Sequence, residues 1–256
     1  MLANEVESSR WKKFLKSVLA GAVGPGRFLW RGPLSSQAIC LTFDDGPDPT
    51  DTPRLLDVLG KYQVRASFFL IGARAAQHPN VVRRLVDAGH VIGNHSYWHN
   101  SPAKVSARAL VEEVRQTREL LADLTGKATN LFRPPFGALT IAKLASLWRA
   151  GQTVVHWNRN PGDACSSAGM LDEWFRDRPP QTGDLVLLHD NHPHARIVLP
   201  SVIESVRGRG LEFATLAEWT GLPMPEACGK REIGGDLPRM RSTSGEEVRE
   251  RGREPR

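Results

Sequence analysis

The chain has 256 residues, 40% of them hydrophobic and 24% charged, and its 34 Lys and Arg against 28 Asp and Glu leave a net charge of +6. That is the profile of a globular protein with a sizeable core, and no run approaches the roughly 18 apolar residues that a membrane-spanning helix needs. Three scattered cysteines, Cys40, Cys165 and Cys228, exclude a fully paired disulfide framework and any Cys-x-x-Cys motif, so the fold must rest on packing.

Residues 1–35 read as an N-terminal extension. Arg10, Lys12, Lys13 and Lys16 precede the apolar stretch from Val18 to Val23, which is short and lacks a clear cleavage site for an export signal. Trp11, Phe14, Leu15 and Val18 can share one face of a short basic amphipathic helix. Such a helix packs on its own domain or makes a weak membrane-surface contact through residues 10–23. The expected location is therefore cytoplasmic or membrane-peripheral, with export left open.

From residue 36 to 222, short β-rich apolar runs alternate with helical patterns, the mark of an α/β domain with a mostly parallel sheet. Strands are expected at 37–43, 65–71, 90–94, 129–133, 152–157, 184–189 and 211–214. Helices are expected at 52–62, 79–88, 105–125, 139–150, 169–177 and 196–208, several ended by a glycine such as Gly60, Gly89, Gly126 or Gly151. Residues 223–256 mix Arg, Glu, Gly, Ser and Pro with few large apolar side chains, the composition of a disordered charged tail. Its arginines alternate with Glu246, Glu247, Glu250 and Glu254, which largely cancels the field that phosphate binding needs, so no nucleic-acid partner is expected.

The polar residues with chemical potential stand just after the expected strands: Asp44 and Asp45, His95 and His99, Arg133, Asp163, then His189 and Asp190. In a closed parallel barrel the loops after the strands open on one face, where such residues converge. Thr42-Phe43-Asp44-Asp45-Gly46-Pro47 runs a strand into two adjacent carboxylates that cannot point the same way along an extended chain. One can bind a metal while the other faces a reactant. In His95-Ser96-Tyr97-Trp98-His99, the H-x-x-x-H spacing puts two imidazoles on one side of a helical turn, suited to a single ion. Two histidines and a carboxylate with open positions suit a hydrolytic metal site, or a non-haem iron oxygenase, although the βα alternation does not resemble the antiparallel folds expected of the latter. Imidazole ligands argue against Mg or Ca. Arg133-Pro134-Pro135-Phe136-Gly137 projects one guanidinium from a rigid turn, and Leu185-Val186-Leu187-Leu188-His189 delivers a histidine that can serve as a proton donor.

Taken in order, the Thr42–Pro47 run, His95-Ser96-x-x-His99, Arg133–Gly137 and Leu187-Leu188-His189 resemble the motifs of polysaccharide deacetylases, the NodB homology domain of carbohydrate esterase family 4. The resemblance implies a single-domain, distorted, seven-stranded (β/α) barrel that removes N-acetyl groups from amino-sugar oligomers or polymers. By position it makes Asp45, His95 and His99 the ligands of a divalent metal, zinc above all, Asp44 the general base held by Arg133, and His189 the general acid. Asp163 matches the later acid of a tryptophan-led motif, Trp157-Asn158-Arg159-Asn160-Pro161-Gly162-Asp163, and would orient His189. Leu187 would line an acetyl-methyl pocket, Trp157 the groove, and the Phe136 backbone N–H would help offset the oxyanion. The chain departs from the pattern at Asn160, where the motif usually has Asp, and at Ala164, where Trp often follows, which leaves the substrate open. Two alternatives remain: a deacylase or deformylase of a lipid-linked or small amino sugar, and an inactive glycan-binding relative. The loop Asn191-His192-Pro193-His194 is unusually rich in histidine and reads as solvated rather than as a second metal site.

Overall fold

A computed structural model of the chain describes residues 16–221 apart from Ala103. The expected charged tail and residues 1–15 of the N-terminal extension lie outside the described residues. Residues 16–23 are helical (α1) and lead into β1 (Phe28–Leu29) and β2 (Ala38–Asp44). Next come α2 (Asp51–Lys61), β3 (Ser67–Leu70), α3 (Gly72–Gln77), α4 (Pro79–Asp87), β4 (Val91–Asn94), α5 (Ala107–Thr125), β5 (Leu131–Phe132), α6 (Ile141–Arg149) and β6 (Thr153–Val155). The chain continues through α7 (Ala168–Asp177), β7 (Leu185–His189), α8 (His194–Gly208), β8 (Glu212–Phe213) and α9 (Leu216–Thr220).

The sheet is parallel throughout, in the order β1-β6-β5-β4-β3-β2-β7, with β8 paired to the start of β2. It curls until a bridge between Arg159, just beyond β6, and Val186 of β7 brings its two sides together. This is the distorted seven-stranded α/β barrel expected from the sequence, with one exchange of membership. The last expected strand, β8, lies off the barrel path, and β1 takes a place in it. The sheet thus reaches back before residue 36, because a two-residue apolar pair among Gly, Arg and Pro carries no periodic signal.

All seven residues of β2 are buried, and their alternation sorts them by face. Ile39, Leu41 and Phe43 pack outward with Leu55 and Leu59 of α2 and Val198 and Val202 of α8. Ala38 and Cys40 belong to a second cluster with Phe69, Val155 and Leu185, and Thr42 and Asp44 continue that inner face. Register then aligns the strand ends: Asp44 pairs with Phe69 on one side and His189 on the other, and Asn94 pairs with Leu70 and Phe132. Polar residues that end these strands are thereby delivered to one level.

The helices are held by local signals in the sequence. Ser106 caps α5 by accepting from the Ala109 N–H at 3.1 Å, and Gly126 closes that helix at φ 74°. In α1, Leu19, Ala20 and Val23 pack against the cluster of Phe28, Leu110, Val114 and Leu147, so this part of the helix spends its apolar face on its own domain. No helix among the described residues is long and apolar enough to cross a membrane.

Candidate active site

Two strand ends, those of β2 and β4, bring Asp45, His95 and His99 together. The Asp45 Oδ1 atom lies 3.4 Å from His95 Nε2 and 3.1 Å from His99 Nε2. Residues 95–99 are not helical, contrary to the reading of the H-x-x-x-H spacing. Ser96 and His99 instead take left-handed backbone conformations, at φ 62° and 58°, and fold the loop back on itself. Asn94 locks that loop: its Nδ2 donates to the Val114 carbonyl and its Oδ1 accepts from the Ser96 N–H, while Ser96 Oγ accepts from the His99 N–H.

His95 Nδ1 lies 2.8 Å from the Arg133 carbonyl, which can only accept, so the proton is on Nδ1 and the Nε2 lone pair is left for an electrophile. The Asp45 Oδ1 atom is buried and has no hydrogen-bond partner among the described residues. Burial alone would raise the Asp45 carboxyl, but His95 and His99 overcome it and hold the group below the ordinary carboxylate range. A buried carboxylate oxygen 3.1 to 3.4 Å from two imidazole Nε2 atoms fits a divalent cation.

Asp44 turns the other way. Its Oδ1 accepts from Arg133 at 2.7 Å, and its Oδ2 lies 3.7 Å from His95 Nε2. Arg133 is completely buried and also donates to Thr42 Oγ1 at 2.8 Å and to the His156 carbonyl at 3.1 Å, with its guanidinium 4.2 Å over the Phe69 ring. Burial pushes its pKa down while Asp44 pulls it up, so the two charges justify each other in the interior.

On the facing side, Asp163 is fully buried in the turn after β6 and holds His189 twice. Its Oδ2 accepts from the His189 backbone N–H at 2.7 Å and its Oδ1 from Nδ1 at 2.9 Å. Burial would lower the imidazole pKa, but this bond and the charges of Asp163, Asp44 and Asp45 raise it to about 9. Asn160 shapes the same turn by accepting from the Gly162 N–H at 2.8 Å, a task an amide performs as well as a carboxylate.

The description "polysaccharide deacetylase" attaches to a family model that matches residues 31–155. A peptidoglycan-N-acetylglucosamine deacetylase of Bacillus cereus is 33% identical over 195 residues, covering 74% of this chain and 70% of its own. The chain belongs to the polysaccharide deacetylase family. With that membership goes the class of reaction, hydrolysis of a non-peptide carbon–nitrogen amide bond. A chitooligosaccharide deacetylase of Rhizobium leguminosarum bv. trifolii is 32% identical, covering 70% of this chain and 80% of its own. Among solved structures, the Bc1960 peptidoglycan N-acetylglucosamine deacetylase, bound to an N-hydroxy benzamide, superposes with a TM-score of 0.74 at 30% identity, covering 78% of this chain and 95% of its own.

The remaining residues expected at the site lie near these groups. Leu187 is buried in β7 beside Thr42. Phe136 has a left-handed backbone, φ 58°, and its exposed ring sits 4.8 Å from that of His99. Trp157 lies 5.7 Å from the Arg133 guanidinium and fills the space a side chain on Gly137 would need. Ala164 is exposed beside Asp163.

Three residues were given no role by sequence reasoning. Thr42 shares the inner face of β2 with Asp44 and receives Arg133; a lone hydroxyl two positions before the acid was the available signal. Arg74 of α3 donates to the Asp45 carbonyl at 2.7 Å, and nothing announced it because α3 itself was not expected. Asp190 lies buried behind Gly46 and accepts from Thr52 Oγ1 at 2.6 Å, and burial raises its carboxyl to about 7.

Proposed function

We propose that this deacetylase uses a divalent metal, zinc by preference, to remove acetyl groups from N-acetylglucosamine residues of a glycan chain. Asp45, His95 and His99 would hold the ion. When bound, it supplies Lewis-acid polarisation of an amide carbonyl and acidifies a water enough to attack near neutral pH. Two imidazole donors favour zinc over magnesium or calcium.

The protein's own groups supply the proton traffic. Asp44, held in one rotamer by Arg133, accepts the proton of the attacking water. His189, protonated and fixed by Asp163, donates to the amide nitrogen, so that the C–N bond breaks with a neutral amine leaving and acetate remaining. The Phe136 backbone N–H offers a dipole to the carbonyl oxygen as negative charge develops there. Leu187 lines the space for the acetyl methyl group, and Trp157 forms the neighbouring groove wall.

One observation carries this reading: a carboxylate locked by a buried arginine stands beside a separate three-ligand cluster, with Asp44 Oδ2 3.7 Å from His95 Nε2. A binding site that merely held sugar would need neither this base nor the opposing Asp163–His189 pair. The substrate follows the relatives, which are named for peptidoglycan N-acetylglucosamine and chitooligosaccharides. A cell-wall glycan would set the working place outside the cytoplasm, the export that the reading of the N-terminus left open.

The test is to strip the protein with chelator, restore zinc, and measure acetate release from N-acetylglucosamine oligomers of increasing length, with Asp44→Asn as control. Zinc-dependent release that disappears in the control is expected. Release that persists in Asp44→Asn would remove the base assignment, and zinc binding without release would remove the substrate.

A further inference from the structure

The loop after β7, expected to be solvated, is partly exposed, but one of its histidines turns its ring nitrogens inward. Neither ring nitrogen of His192 has a hydrogen-bond partner among the described residues, and both are shielded from solvent. Leaving such nitrogens buried and unpaired is costly, so packing alone is a poor reason for the placement. The ring stands beside the acid pair: His192 Nε2 is 3.8 Å from Asp163 Oδ2, and the His189 and His192 ring centres are 5.9 Å apart. His194 ties the loop down, its Nδ1 donating to the Asp163 carbonyl at 3.2 Å.

We propose that Asp163, His189 and His192 form a second transition-metal site whose occupation disables the acid pair. One donor atom from each residue lies within 4.8 Å of the other two. Around a tetrahedral zinc with bonds of about 2.0–2.2 Å, donors stand about 3.3–3.6 Å apart. His189 Nδ1 stands 2.9 Å from Asp163 Oδ1 and His192 Nε2 3.8 Å from Asp163 Oδ2, the two oxygens of one carboxylate, so small ring movements would seat an ion among the three side chains. Two imidazoles and one carboxylate select zinc, nickel or copper over magnesium or calcium.

Binding there expels the Nδ1 proton of His189 to solvent and replaces its bond to Asp163 with a metal–nitrogen bond. The imidazole can then no longer carry two protons, which is what a proton donor to the leaving nitrogen must do. The site would make excess zinc an inhibitor of an enzyme that needs one zinc. The metal site itself stands on geometry; its inhibitory effect rests on the role proposed for His189 above.

The experiment is equilibrium dialysis of the untagged full chain against zinc, with metal counted per chain, alongside acetate release over the same zinc range. Wild type should bind two zinc ions and lose activity as the second binds. His192→Ala, and His192→Phe, which keeps a ring without nitrogens, should bind one and keep the activity that wild type has at one equivalent. Their zinc inhibition should move up at least tenfold in concentration. A wild type that stops at one ion, or variants that still bind two, would overturn the proposal. The double variant His95→Ala/His99→Ala separates the two readings. One bound zinc in that protein supports the second site whatever the substrate proves to be, and none overturns it.

Discussion

Replacing Asp163 by Asn changes one oxygen for nitrogen in a fully buried position and removes the charge that holds His189 protonated. The backbone N–H of His189 already claims one acceptor at 2.7 Å, so the amide must turn its oxygen there and present its NH₂ to Nδ1. Nδ1 then has to accept, and the doubly protonated imidazole is disfavoured. With the carboxylate gone, burial acts without its main opponent, and the imidazole falls from about 9 to the ordinary histidine range or below. A fall to about 6.5 corresponds to roughly 3 kcal/mol of lost preference for the protonated form. At pH 8 the protonated fraction drops from about nine-tenths to about 3%, so kcat/KM should fall about 30-fold, while at pH 6 the two proteins should differ only a few-fold. The assay is acetate release from a glucosamine oligomer across pH 5.5 to 9.5 at one equivalent of zinc, with the histidine titration followed by NMR in the metal-free proteins. A deficit that is the same at every pH, with the alkaline limb unmoved, would refute the role given to this pair.

The same pair should be visible in stability without metal. Because the folded-state pKa of His189 is raised to about 9, its ion pair stabilises the protein fully below about pH 6.5 and is lost as pH rises through about 9. Urea unfolding of the metal-free protein should show wild type losing up to about 3 kcal/mol relative to His189→Gln over that interval; parallel curves would contradict it. His95→Ala and His99→Ala should each lose tight zinc binding in the first equivalent, whereas Asp44→Asn should retain it, as metal analysis after dialysis will report. Arg133→Met leaves Asp44 buried without its partner and should cost about 3–5 kcal/mol in urea unfolding. A cost below 1 kcal/mol would mean that the pair is not the anchor described here.

Much of this was legible because periodicity and strand ends carry strong signals. The fully apolar Leu185–Leu188 run and the alternation in Ala38–Asp44 specify buried parallel strands, and each ends in a polar residue whose destination follows from the topology. What escaped detection lacks such a signal. The six residues of α3 are too few to display a helical repeat, and β1 has only two. The spacing of His95 and His99 suggested a helical turn because no glycine or proline interrupts it. The real loop depends on Asn94 and Ser96 binding backbone groups, a tertiary arrangement that spacing does not encode. His192 looked like a surface residue because composition cannot tell which histidine of a polar loop is turned inward.

Arg133 serves the site with both ends: its guanidinium holds Asp44, and its backbone carbonyl fixes the tautomer of His95. The proposed base and one proposed metal ligand are therefore tied to a single buried residue, whereas the proposed acid pair hangs from β7 and the turn after β6. The two halves can diverge separately. A lineage, or an engineer, can retune the proton donor for acidic or alkaline surroundings by changes around residues 160–164 and 189–194 that leave Asp45, His95 and His99 in place, while a change of side chain at residue 133 takes away the partner of Asp44 beside them.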